Sequence, residues 1–85
     1  MYLHIGKNVV VNNNEIIGIF DVSSMTKSKE FKLIYEKLKE ENNILDVSDN
    51  HKKSIIITKE KEVLKGYISN ISSITLAKRV DLNVL

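Results

Sequence analysis

The sequence KKSIIIT, at residues 52–58, decides the fold of this 85-residue chain. Its three consecutive isoleucines form an apolar run that is too long for an exposed edge and too short for a helix. Such a run is typical of a strand that is covered on both faces at the centre of a sheet. The residues before it, Ser48 to Lys53, form a polar turn whose side chains should face water, which is where small domains often carry their function. The alternative is that Lys52 and Lys53 only protect a sticky strand against aggregation.

Length and composition predict one small domain over residues 1–85. A chain of this size buries only roughly 60–65% of the surface that its unfolded form exposes, so its core is marginal. Cysteine is absent, and His4 and His51 have no partners at ligand spacing, which excludes disulfides and a structural metal site. No cofactor is expected. Oligomerisation remains as the means of stabilising so small a core.

Hydropathy and charge predict a cytoplasmic protein without a membrane segment. No apolar run approaches the ~20 residues that a membrane-spanning helix needs, and the N-terminus does not resemble a signal peptide. The formal net charge of +2 permits an anionic partner without requiring one. Arg79 is the only arginine. Because base readout favours the forked guanidinium of arginine, any DNA binding should depend only weakly on sequence.

Hydrophobic periodicity predicts an α+β fold with a small, antiparallel-rich sheet of about six short strands. The strands are expected at residues 2–5, 9–11, 15–20, 44–47, 55–59 and 63–68. The first two should form a hairpin. The third should be well buried, with a bulge or a close approach at Gly18.

Two helices complete the predicted fold. The longer one, at about residues 26–41, carries an apolar stripe at i, i+3, i+4 and i+7, formed by Phe31, Ile34, Tyr35 and Leu38. Its lysines and glutamates are interpreted as a solvated face. The short C-terminal helix is expected at about residues 72–80. It would place Lys78 and Arg79 in its last turn, where the helix dipole favours cations.

The residues that enzymes need are not brought into any recognisable pattern. Serines occur in turn and cap contexts, and neither histidine has a neighbouring group to recruit it. The glycines are isolated and form no phosphate-binding loop. Asp46 and Asp49 alone are too few ligands for a hard cation. The sequence therefore predicts a protein that is not an enzyme.

Four segments together resemble a known family. They are YLHIG at 2–6, IGIFD at 17–21, KSIIIT at 53–58 and SSITLAKR at 72–79. In this order and spacing they resemble the RemA/RemB family of extracellular-matrix (biofilm) regulators, and its short RemB-like branch in particular, over roughly residues 1–80. The resemblance implies a small cytoplasmic DNA-binding protein that activates matrix genes as a ring-shaped homo-oligomer. Its subunits would present basic side chains around the ring, on which DNA wraps.

The resemblance also implies where DNA would be contacted. In the RemA branch the contacts are arginines in the turn before the third strand and in the loop before the fifth. The matching positions here are Asn14–Glu15 and Asn50–His51, so this chain lacks those arginines, and Glu15 would repel phosphate. The DNA contacts implied for this chain are Lys52 and Lys53, with His51 assisting when protonated, and Lys78, Arg79 and Lys7 as weaker candidates.

Two functions therefore remain open. The chain is either a phosphate-backbone DNA binder in transcriptional control or a structural, protein-interaction module of the same fold and assembly. The second would have a protein partner that the sequence does not identify and no DNA binding of its own. The family resemblance favours the first, and the missing arginines favour the second.

Overall fold

The computed structural model describes residues 1–84, and the side chains as far as residue 80. Within these residues the α+β class predicted from the sequence is confirmed. The strands are β1 (Tyr2–Gly6), β2 (Val9–Asn12), β3 (Ile16–Asp21), β4 (Ile44–Asp46), β5 (Ser54–Glu60) and β6 (Val63–Ser69). The helices are α1 (Ser24–Lys27), α2 (Lys29–Glu40) and α3 (Ser73–Val84), and a 3₁₀ turn at Asn13–Glu15 joins β2 to β3.

Strand β5 lies inside a four-stranded sheet of order β3-β5-β6-β4. It pairs antiparallel with β3 and with β6, and β4 runs parallel to β6 at the edge. Ile55 and Ile57 enter the core on one face of the sheet, and Ile56 enters the core on the other. None of the three is more than 5% exposed. The prediction of a strand covered on both faces is therefore confirmed.

One face of β5 is covered by the β1–β2 hairpin and α3. Leu3 and Ile5 of β1 meet Ile56 and Leu76 of α3 in this core. The Ser69 hydroxyl of β6 donates a hydrogen bond of 2.5 Å to the carbonyl oxygen of Ile5, which links the hairpin to the four-stranded sheet. The six predicted strands are thus present but divided between two sheets. A two-stranded hairpin is marginal alone, and here it is stabilised by packing on the central sheet.

The other face of β5 is covered by α2, through Phe31 and Leu38, and by Met25 of α1. The predicted helix of residues 26–41 is interrupted at Ser28, whose backbone is extended with φ of −132°. The Ser28 hydroxyl accepts a hydrogen bond of 3.1 Å from the Phe31 N–H and so caps α2. The helix ends as predicted at Asn42-Asn43. Asn42 adopts a left-handed φ of 59°, and the Asn43 N–H donates to the Leu38 carbonyl.

Two expectations about burial are wrong. Ile34, assigned to the core stripe of the helix, is 47% exposed, because α2 buries only the narrower face that carries Phe31 and Leu38. Strand β3 is half-buried rather than well buried, since it lies at the edge of the sheet. Ile17 is 58% exposed there, in the bulge that Gly18 predicted.

The C-terminal helix is longer than the predicted 72–80. The Ser72 hydroxyl accepts a hydrogen bond from the Thr75 N–H at its start, and the helix continues to Val84. Lys78 and Arg79 therefore lie in the middle of α3 and not in its last turn. The helix dipole acts only within the terminal turns, so it does not account for these two cations. No helix in the described part of the chain is long and apolar enough to cross a membrane.

Candidate nucleic-acid interface

The loop between β4 and β5 turns tightly at residues 48–51. The His51 N–H donates a hydrogen bond of 3.0 Å to the carbonyl oxygen of Ser48. Asp49 and Asn50, between them, have φ of 55° and 69°. Two successive left-handed residues are typical of a type I′ turn, and Asp and Asn tolerate that backbone better than most residues. The turn therefore has a defined conformation before any ligand is bound.

Asp46, the last residue of β4, holds the start of this loop. Its Oδ1 accepts hydrogen bonds from the Ser48 N–H at 2.8 Å and from the Ser48 hydroxyl at 2.5 Å. Ser48 itself is fully buried. The hydrogen bonds from Ser48 hold the pKa of the Asp46 carboxyl below its usual range, and the nearby charges of Lys52 and Lys7 lower it further. The carboxylate is thus charged at neutral pH and acts as a fixed anchor.

Lys53 is held at the other end of the loop. Its N–H donates a hydrogen bond of 2.9 Å to the Ser69 carbonyl, and its own carbonyl accepts one of 3.0 Å from the Val22 N–H. The side chains of His51, Lys52 and Lys53 are all exposed. A rigid backbone therefore presents three adjacent basic side chains to solvent, as the sequence predicted.

The structure brings Lys7 to this loop. Lys7 lies in the turn between β1 and β2, beside Gly6, which packs directly on Val47. A Cβ at Gly6 would lie 2.8 Å from the Val47 carbonyl oxygen, so only glycine allows the hairpin to approach the loop this closely. The charge of Lys52 and, more weakly, that of Lys7 lower the pKa of Asp46. The Lys52 ammonium is 3.8 Å from Asp46 Oδ2, and both side chains are about half exposed, so this ion pair is weak.

Arg79 and Lys78 lie outside this group. One guanidinium nitrogen of Arg79 donates a hydrogen bond of 3.3 Å to the His4 carbonyl, which ties α3 to the hairpin. His4 is exposed on β1, and its Nε2 donates a hydrogen bond of 2.6 Å to the Lys7 carbonyl. Arg79 thus contacts the hairpin that carries Lys7, whereas Lys78 is exposed on α3 apart from the loop.

The positions matching the other arginine site of the RemA branch lie at the far end of the sheet. Ile16, just after Glu15, pairs with Thr58, whereas Asp21 pairs with Ser54 next to Lys53. The surface near Glu15 also includes Glu60, whose Oε2 accepts hydrogen bonds of 2.6 Å from Thr58 and Tyr67. Burial, with Glu60 nearby, raises the pKa of Tyr67 to about 12. The Lys65 ammonium lies 3.3 Å from Glu60 Oε1, so among the described residues the charges at this end are largely paired and offer no group of free cations like that of the loop.

Sequence reasoning missed two parts of this surface. The first is the Asp46–Ser48 anchor, since Asp46 was considered only as a weak cation ligand. The second is Lys39 of α2, which lines a groove together with Tyr35 and Lys52. Lys39 was assigned to the solvated face of the helix. Its spacing of four residues from Tyr35 puts the two side chains on one face, and this signal could have identified it.

Comparisons with known proteins agree with the resemblance seen in the sequence. The family model described as "RemA-like: Extracellular matrix regulatory protein A-like" matches residues 2–80. The chain is also 38% identical over 80 residues to Extracellular matrix regulatory protein B of Bacillus subtilis (strain 168), covering 93% of this chain and 89% of that protein. These descriptions are those of regulators rather than enzymes. The chain belongs to the RemA-like family of extracellular matrix regulatory proteins.

Proposed function

We propose that this chain is a DNA-binding transcriptional regulator of extracellular-matrix genes, which acts in the cytoplasm as a ring-like homo-oligomer. It binds the phosphate backbone through the β4–β5 loop. The observation that carries this proposal is the rigid presentation of His51, Lys52 and Lys53, with Lys7 beside them. Membership in a family of matrix regulators supports the biological setting.

Assembly is needed because one subunit offers few phosphate contacts. A pair of lysines on a single loop neutralises too little charge to bind DNA usefully at physiological salt. A ring repeats the loop in every subunit, and simultaneous binding at several sites raises overall avidity by a factor of about 10²–10⁴. Several large apolar side chains are exposed on this chain and are available for contacts between subunits: Ile17, Leu33, Ile34, Leu45 and Ile74.

Binding of this kind is nearly indifferent to DNA sequence. Lysine acts on phosphate as a point charge and lacks the paired donors that read guanine. The single arginine, Arg79, is hydrogen-bonded to the His4 carbonyl, which restrains its guanidinium at the hairpin. Any preference among promoters then arises from DNA shape or from a second protein rather than from base contacts by this loop.

The test is a titration of a fluorescent DNA duplex, read by anisotropy at several salt concentrations. The variant Lys52→Glu/Lys53→Glu should abolish binding, whereas Lys32→Glu/Lys37→Glu, the same charge change on exposed lysines of α2, should keep most of it. Sedimentation at micromolar concentration should show a multimer for all three proteins. This control separates loss of the loop contacts from a general loss of positive charge.

The opposite results would be equally informative. If the loop variant binds as the wild type does, the loop is not the DNA contact. A folded monomer throughout the micromolar range would remove the ring. If the wild type fails to bind even at low salt, the protein-interaction function takes the place of DNA binding, as the missing arginines would suggest.

A further inference from the structure

A groove runs beside the β4–β5 loop, between the C-terminal end of α2 and the edge strand β4. It has a volume of about 460 Å³. Tyr35, Lys39 and Asn42 line it from the helix side, and Asp46 and Lys52 line it from the sheet side. The groove is thus continuous with the basic loop, because Lys52 belongs to both.

The charges in this groove leave one cation without a matching anion. Lys39 and Lys52 are opposed by a single carboxylate, Asp46. One oxygen of that carboxylate already accepts two hydrogen bonds from Ser48, and the other is 3.8 Å from the Lys52 ammonium. Lys39 therefore has no carboxylate of its own among the residues that line the groove. An anion entering the groove would meet two ammonium groups and would not displace an established ion pair of Lys39.

The groove also offers neutral donors. Burial raises the pKa of the Tyr35 hydroxyl, and the charge of Asp46 raises it further, so the phenol stays protonated at physiological pH and can donate a hydrogen bond. The amide of Asn42 lies at the end of the helix, where the left-handed backbone of this residue turns the chain toward β4. Ammonium, hydroxyl and amide groups are the donors that proteins commonly direct at phosphate oxygens.

We propose that this groove holds a phosphodiester of the DNA backbone, bound by Lys39 and Lys52 with Tyr35 as a hydrogen-bond donor. The DNA then passes from the β4–β5 loop onto α2, and the helix contributes to binding. This inference rests on the proposed function and adds a contact to it.

The same helix provides a matched control. Lys37 lies two residues before Lys39, and both are in the last turn of α2. Lys37 lines a different groove, together with Glu41 and Glu62. Lys39→Gln and Lys37→Gln therefore remove the same charge from the same turn of α2 and have the same effect on the helix dipole. They differ only in the groove from which the charge is removed.

The experiment measures the affinity of each full-length variant for a fluorescent 30-base-pair duplex over a range of salt concentrations. Lys39→Gln should lower the slope of log affinity against log salt by about 0.9 for each subunit in contact with the DNA. Lys37→Gln should leave the slope unchanged. Tyr35→Phe removes only a neutral donor, so it should weaken binding about 2- to 10-fold without changing the slope. Lys39→Arg keeps the charge and should bind like the wild type.

Equal slopes for Lys39→Gln, Lys37→Gln and the wild type would overturn this inference. If Lys52→Glu/Lys53→Glu still abolishes binding in that case, the proposed function stands without the groove. A wild type that does not bind DNA at low salt would overturn both. Loss of the oligomer in Lys39→Gln, seen by sedimentation, would also overturn the inference, because Lys39 would then be an assembly residue.

Discussion

The substitution Leu38→Ala tests how α2 is seated on the sheet. Leu38 is 3% exposed, and its Cδ1 would lie 3.6 Å from a Cβ built at Gly66 of β6. Truncating a buried leucine costs about 2–5 kcal/mol, and more when the surroundings cannot close the cavity. Gly66 has no side chain that could move into the space. We therefore expect the free energy of unfolding to fall by about 3–5 kcal/mol, in the upper part of that range.

Ile34→Ala is the matched comparison. Sequence periodicity assigns Ile34 to the same stripe as Leu38, but the structure leaves it 47% exposed. Full burial of such a side chain is worth about 1.5–3 kcal/mol, so losing half of it should cost about 1 kcal/mol, and the better helix propensity of alanine offsets part of that. The free energy of unfolding of each variant is measured by urea titration, with far-UV circular dichroism as the signal. The titrations are repeated at several protein concentrations, because association would contribute to stability. A cost below half a kcal/mol for Leu38→Ala, or equal costs for the two variants at every concentration, would refute this packing.

Three further predictions concern the loop and its supports. Asp46→Ala leaves the buried Ser48 without its hydrogen-bond acceptor, so the free energy of unfolding measured in urea should fall by about 1–3 kcal/mol. Asp46→Asn keeps an acceptor oxygen and should cost less stability. Because it also removes a negative charge, Asp46→Asn should tighten DNA binding. The pKa of Asp46 is lower in the folded protein than its usual value of 3.8. The contribution of this carboxylate to stability is therefore complete above pH 3.8 and is lost as the pH falls through the pKa of the folded state. Between pH 6 and pH 2, the urea midpoint should fall more steeply at the acid end for the wild type than for Ser48→Ala. Gly6→Ala should destabilise the protein by about 1 kcal/mol or more, because the backbone φ of 144° disfavours a side chain and the added Cβ would clash with the Val47 carbonyl oxygen. An unchanged thermal melting temperature would contradict the close approach of the hairpin to Val47.

The central strand and the hairpin could be predicted from sequence because short-range patterns specify them. Three adjacent β-branched isoleucines in a run too short for a helix favour a strand that is covered on both faces. The exposure of Ile34 could not be predicted in the same way. A stripe at i, i+3, i+4 and i+7 gives the direction of a helix face but not its width, and that width depends on how the helix is seated on the sheet.

Strand β3 shows a similar limit. An edge strand and a central strand can have the same apolar composition, and only pairing distinguishes them. The order of strands places β3 outside β5, so Ile17 becomes exposed although it lies in an apolar run. The predicted length of α3 is too short, since the helix continues past residue 80 to Val84.

The candidate site was partly predictable. The basic loop could be located because it directly precedes the isoleucine strand, and Lys52 and Lys53 are exposed there as expected. The approach of the Lys7 turn to the loop depends on the packing of Gly6 against Val47, which joins residues about 40 positions apart along the chain. The groove that includes Lys39 likewise exists only after α2 and β4 have been brought together. The local sequence indicates that Tyr35 and Lys39 share a helix face, but it does not indicate that this face lies against β4 and Lys52.

The placement of β5 between two cores has a consequence for how the molecule opens. Ile56 is covered by the hairpin and α3, while Ile55 and Ile57 are covered by α1 and α2. Detachment of the hairpin and α3, or of α1 and α2, would therefore expose one face of a strand that is strongly prone to aggregation. Lys53 precedes this strand and Lys59 lies within it, and both are exposed. Charges at these positions oppose the pairing of two partly opened molecules, so Lys53 and Lys59 protect the chain against aggregation.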